Sequence, residues 1–244
     1  MVWRLTTSFE AIIGTTDRTL AGAEAMKVHD FDKDGIHEIV IPLTAQRTDD
    51  HSTTEILLLN YTSDGQLTAV QRGEFTSGWV QNLNIGDFNG DGFSDILIGD
   101  HGTEIANAVA GSENPGSIHQ LLLGTSQGLT TPSGDVGFTG TGFWHTTKSG
   151  DIDGDGDFDF ITSNGMPNSY QNGKHFMIFK NDGDGTFTED TSFPISLKSV
   201  ANEGPNRLPP VAALDDFNNN GFADLVVGFD HANFNPEADL RTSI

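Results

Sequence analysis

Nine residues, Asp87-Phe88-Asn89-Gly90-Asp91-Gly92-Phe93-Ser94-Asp95, carry the densest chemistry in the chain. Side-chain oxygens stand at positions one, three, five and nine of this stretch, and a glycine stands at six. A hard cation of calcium's size takes six to eight oxygens at about 2.3–2.6 Å, and glycine at the sixth position lets the backbone turn sharply around it. Asp87, Asn89, Asp91 and Asp95 are therefore candidate ligands through their side chains, and Phe93 through its backbone carbonyl.

The stretch recurs three times. Asp30, Asp32, Asp34 and Glu38 keep the spacing, with Gly35 at six and the Ile36 carbonyl after it. Asp151, Asp153, Asp155 and Asp159 do so with Gly156 and Asp157, and Asp216, Asn218, Asn220 and Asp224 with Gly221 and Phe222. The first aspartates are 57, 64 and 65 residues apart, the long period of a repeat architecture. Asp, Asn and Gly also favour tight turns, but four copies of one oxygen pattern point to four metal loops and about four calcium ions. The fourth, with two amides in place of carboxylates, should bind most loosely. The spacing is that of the start of an EF-hand loop, except that the last acid comes at nine instead of twelve.

Each loop leads into a short apolar run with the character of a buried strand: Ile39-Val40-Ile41, Ile96-Leu97-Ile98, Phe160-Ile161-Thr162 and Leu225-Val226-Val227. A third strand is expected over 55–60, 119–123 and 175–179, and a fourth after the turns at Asp64-Gly65, Ser126-Gln127-Gly128 and Asp182-Gly183-Asp184-Gly185. That last turn lacks the fifth- and ninth-position oxygens and reads as a hairpin. Four antiparallel strands cannot bury both faces alone. Their radial stacking gives a β-propeller, an all-β fold of four-stranded blades with a metal loop between strands one and two. The boundaries read as blades over 22–76, 77–140 and 141–200 and an incomplete blade over 201–244, with residues 1–21 supplying strands of a neighbouring or closing blade.

The loops and the runs after them resemble the FG-GAP or VCBS repeats of integrin-α-like propellers, with "DFNGDGFSDILIG" at 87–99 the closest match. The likeness extends over about residues 22–230, and Glu38 departs from it by lengthening the last ligand. It implies calcium binding and a ring that usually holds seven blades, so the chain is expected to be part of a larger propeller. The other solution is a small ring closed by Val2–Leu5 and Phe9–Ile13. Such propellers serve as adhesion heads, lectins, scaffolds and polysaccharide lyases.

Formal net charge is −23, and four divalent ions would leave about −15. That argues against nucleic acid and anionic membrane surfaces as partners. Cysteine is absent. No apolar run approaches the length of a membrane helix, and the first residues do not have the form of a secretion signal. Calcium loops of this kind fill at the calcium levels outside cells. The protein is therefore expected to be extracellular or on a cell surface, with a signal that this sequence does not carry.

The face opposite the metal loops collects Trp79, Trp144 and His145 where first strands begin, and Asp100, His101, Asn164, Asp230 and His231 where second strands end. Loops on a rigid scaffold are where binding usually resides, and Trp beside Asp, Asn and His suits a sugar. Large aromatics are also often buried packing, and a strand-end Asp-His is often only a polar loop. Two functions are compatible with this face. The first is a calcium-stabilised module that binds a glycan or an extracellular protein. The second is a polysaccharide lyase or related enzyme in which His101, His145 or His231 removes a proton.

Overall fold

A computed structural model describes residues 18–20, 25–45, 53–61, 67–75, 80–100, 118–138, 142, 144–164, 176–192 and 211–228. These residues form fifteen β-strands and no helix. Val2–Leu5, Phe9–Ile13, Trp79, His101, Asp230 and His231 lie outside the described residues.

The first sheet holds β1 (Arg18–Leu20), β2 (Lys27–His29), β3 (Glu38–Ala45), β4 (Thr53–Tyr61) and β5 (Leu67–Phe75). The order is β1-β3-β4-β5, and β2 pairs with β3 as well. β2 lines the start of β3, with Lys27 opposite Val40, and β1 lines its end, with Arg18 opposite Ala45. Arg18–Leu20 thus extends this sheet, where the sequence pattern assigned it to a neighbouring or closing blade; β3 is simply long enough to carry two short partners. The second sheet runs in order through β6 (Val80–Gly86), β7 (Asp95–Asp100), β8 (Gln120–Thr125) and β9 (Gly128–Thr130). The third does the same with β10 (Trp144–Gly150), β11 (Asp159–Asn164), β12 (Phe176–Asn181) and β13 (Phe187–Asp190). β14 (Val211–Asp215) and β15 (Asp224–Gly228) make a two-stranded sheet. All pairings are antiparallel, and each repeat's oxygen-rich loop joins its first strand to its second, as expected.

Period-two alternation distributes the apolar residues of the second and third sheets between two cores each. Ile96, Ile98 and Leu122 of the second sheet join Phe31, Val40, Ile56 and Leu58 of the first. Leu97 and Leu121 point the other way and join Trp144, Phe160, Met177, Phe179 and Phe187. Ile161, Phe176 and Ile178 on the far side of the third sheet meet Leu214 and Leu225 of the fourth. The first strands stand side by side, with β10 packed between β6 and β14. This is the radial arrangement of propeller blades. Phe217 and Val226 are 56% and 54% exposed, whereas their counterparts Phe88 and Leu97 are fully buried against the third sheet.

A histidine sits inside the second core. The ring of His119 lies 4.7 Å from that of Trp144 and 5.1 Å from that of Phe160. Its Nε2 is 3.1 Å from Thr162 Oγ1 and 3.3 Å from Thr147 Oγ1. Burial pushes its pKa down to about 3, so it folds neutral. The folded state therefore binds fewer protons than the unfolded chain between about pH 6.5 and pH 3, and stability falls as the solution is acidified through that window. His119→Phe should lose less melting temperature than wild type between pH 7 and pH 5; equal losses in thermal melts would assign the acid sensitivity elsewhere.

Candidate metal centres

Each loop is wound on the same backbone hydrogen bonds. The first-position aspartate accepts the N–H of the glycine at six: Gly35 to Asp30, Gly92 to Asp87, Gly156 to Asp151 and Gly221 to Asp216, at 2.8–3.1 Å. The fifth-position side chain accepts the N–H of residue seven: Ile36 to Asp34, Phe93 to Asp91, Asp157 to Asp155 and Phe222 to Asn220. The glycines at six take φ between 88° and 99°, a region that side chains rarely adopt, so backbone conformation favours glycine there.

The ninth-position acid does a different job. Its carboxylate accepts the N–H of residue two in every loop, from Phe31 to Glu38, Phe88 to Asp95, Ile152 to Asp159 and Phe217 to Asp224. In loops two and three its second oxygen also holds the end of the third strand: Gly124 N donates to Asp95 Oδ1 and Asn181 N to Asp159 Oδ1, at 2.8 and 2.9 Å. Glu38, Asp95 and Asp159 are all buried. Burial, opposed by these N–H groups and reinforced by neighbouring aspartates, raises the Asp95 and Asp159 pKa values to about 6 and raises that of Glu38 as well.

Whether these oxygens fit a hard cation is tested by the ones the protein leaves without a donor. Asp30 Oδ1, Glu38 Oε1 and Asp87 Oδ1 are buried and accept no hydrogen bond. A buried carboxylate oxygen in that state is costly unless a cation meets it. Carboxylate oxygens of Asp30, Asp32 and Glu38 lie within 4.8 Å of one another, as do those of Asp151, Asp153 and Asp159. Positions one, three and nine thus converge in loops one and three. In loop two the third position is Asn89, whose Oδ1 accepts Asp91 N while its amide donates to Asp91 Oδ2. Loop four differs further: the Asn218 amide donates to both oxygens of Asp224, so its third and ninth positions bond to each other.

At the other end of the sheets, Val80 pairs with Asp100 and Trp144 with Asn164. The starts of the first strands and the ends of the second strands therefore meet there. Trp144 is fully buried against His119, and Asn164 is buried too. Of the two readings of Trp144, buried packing and a sugar platform, the structure has the first, because both faces of this blade are packed; Asn164, expected on the ligand face, is likewise buried. His145 is half-buried and sits at a β-bulge between Trp144 and Thr146, its carbonyl accepting Asn82 Nδ2 at 3.1 Å.

Two contributors have no signature in the sequence, Gly124 and Asn181, because they act through backbone N–H groups at the ends of third strands. Asp95→Ala should destabilise the metal-free protein by about 2–4 kcal/mol, since it strands two buried N–H groups. Asp91→Ala, in an exposed part of the same loop, should cost under about 1 kcal/mol. Urea unfolding in chelator compares them, and equal losses would contradict the division of labour between positions five and nine.

The FG-GAP-like repeat profile matches residues 30–98, from the first aspartate of loop one into β7. No curated protein matches the chain. The matched span contains two complete oxygen-rich loops and the strands from β3 into β7, and over it the chain is similar to FG-GAP-like repeats.

Proposed function

We propose that the chain is a calcium-stabilised binding module, working outside the cell and recognising a glycan or a protein through the face opposite its metal loops. The observation that carries the metal half of this reading is the set of buried, donorless oxygens on Asp30, Glu38 and Asp87. Oxygen-only donors, high charge and a glycine-permitted turn favour calcium over softer or smaller metals. Asp30, Asp32, Asp34 and Glu38 would hold one ion with the Ile36 carbonyl. Asp87, Asn89, Asp91 and Asp95 would hold another with Phe93, and Asp151, Asp153, Asp155 and Asp159 a third with Asp157. Asp216, Asn218, Asn220 and Asp224 would hold a fourth, weakest ion with Phe222. Each ion would supply charge neutralisation and rigidity to its loop.

The binding half rests on the convergence of strand ends at Val80, Asp100, Trp144 and Asn164. Trp144 and Asn164 are buried at that end of the sheets, and half-buried His145 sits at the bulge beside them. Bulges often re-aim side chains next to sites.

Calcium at about a hundred times its Kd adds about 2.7 kcal/mol per site. Chelation should therefore lower the melting temperature by at least about 5 °C; an unchanged value removes calcium from the account. Asp91→Ala should bind one ion fewer in native mass spectrometry. A glycan panel in millimolar calcium and again in chelator tests the binding half, with folding verified in each sample. Calcium-dependent capture identifies a lectin-like module. No capture by a folded sample redirects the search to protein partners, and unsaturated products from an acidic polysaccharide would make the protein a lyase.

A further inference from the structure

Neighbouring loops are joined by three different devices. His29 Nε2 meets Ser94 Oγ at 2.7 Å between the first and second repeats. Ala223 N donates to Asp151 O at 2.6 Å between the third and fourth. Between loops two and three stands one buried side chain, Asn181, with a partner in each.

The Asn181 amide donates to Phe88 O at 2.7 Å in loop two and to Phe158 O at 3.2 Å in loop three. Its Oδ1 accepts Gly183 N and Gly185 N at 3.1 and 3.3 Å. Two donors and two acceptor sites are the whole capacity of an amide. The backbone N–H of Asn181 in turn binds Asp159 Oδ1, and the N–H of Phe88 binds Asp95 Oδ2. A continuous relay therefore runs from Asp159 through Asn181 and Phe88 to Asp95, linking the ninth-position acids of the two loops in three hydrogen bonds of 2.9, 2.7 and 2.8 Å.

We propose that Asn181 couples loops two and three, so that calcium held by either strengthens binding in the other. This rests on the calcium reading above. A metal-free loop holds like charges together, and its local opening loosens whatever is bonded to it. An ion that fixes Phe158 and Asp159 fixes Asn181, and through it the Phe88 carbonyl and the backbone that presents Asp87 and Asp95. The second ion then meets a loop already ordered, which is positive cooperativity through shared order. In the second sheet the equivalent strand end is Gly124. It gives Asp95 the same backbone N–H but has no side chain with which to reach loop one. The pair formed by loops one and two thus lacks this device.

The test is a calcium chloride titration of the full chain, monitored by nuclear magnetic resonance at the amides of Gly35, Gly92 and Gly156, which report loops one, two and three. Disabling loop two with Asp91→Ala should weaken calcium at loop three at least about fivefold and leave loop one within about twofold. Disabling loop three with Asp155→Ala should weaken loop two by the same factor, because coupling is reciprocal. Asn181→Ala should abolish both effects. If that variant does not fold, the two loop variants still decide. Equal losses at loops one and three, or none at loop three, overturn the proposal. Absence of any calcium-induced shift at Gly92 and Gly156 in wild type instead removes the calcium reading beneath it.

Discussion

A ninth-position carboxylate that accepts the N–H of residue two in its own loop, buried in the first three loops, is the constraint on which the repeats depend. It fixes where the loop leaves the first strand and where the second begins. In loops two and three it also fastens the third strand, through Gly124 and Asp159's partner Asn181. Burial of a charge in this way is unfavourable by itself, as the raised pKa values of Asp95 and Asp159 register. The backbone donors offset part of that cost. The rest falls on the same end of the molecule where further carboxylates crowd, and this is the physical reason for proposing a cation in the first three loops.

Outward from the loops, the sheets are held by side chains that alternate between two neighbours. Leu97 serves one core while Ile96 and Ile98 serve another, one residue away on either side. Close contact between sheets is allowed by small residues at defined places. A methyl group on Gly86 would lie against the Phe158 ring, and one on Gly150 against Leu214 and Ala223. These glycines end β6 and β10 where the next repeat's loop or strand comes nearest.

Much of this was legible in the sequence. The four loops, the strand after each and the hairpins at Ser126-Gln127-Gly128 and Asp182–Gly185 came from oxygen spacing, apolar runs and turn chemistry, because those signals are local. The role of Trp144 was not legible. Alternation of apolar and polar residues reports an exposed face only when a sheet has one, and here Phe160, Ile161, Met177 and Ile178 are buried in succession. With both faces packed, an aromatic at a strand end gives no sign of which way it turns. Asn181 was hidden for another reason. Within its own stretch it is an ordinary turn-forming residue, and its partners Phe88 and Phe158 stand 93 and 23 residues away. Nor did the apolar pattern separate β1 from a neighbouring blade, since a three-residue strand carries too little pattern to assign.

The division of a sheet's side chains between two cores has a consequence for how such chains change over evolutionary time. The second and third sheets each present apolar side chains to both neighbours, so each takes part in two joints. Duplicating a unit therefore creates a new boundary between two apolar faces, while the hydrogen bonds that cross it, which differ at each existing boundary, must be made anew. Lengthening by whole repeats keeps apolar faces paired at the junction, whereas gain or loss of part of a repeat leaves one such face open. An architecture of this kind can vary in the number of its units while the chemistry of each loop drifts independently, as the two asparagines of the fourth loop already illustrate.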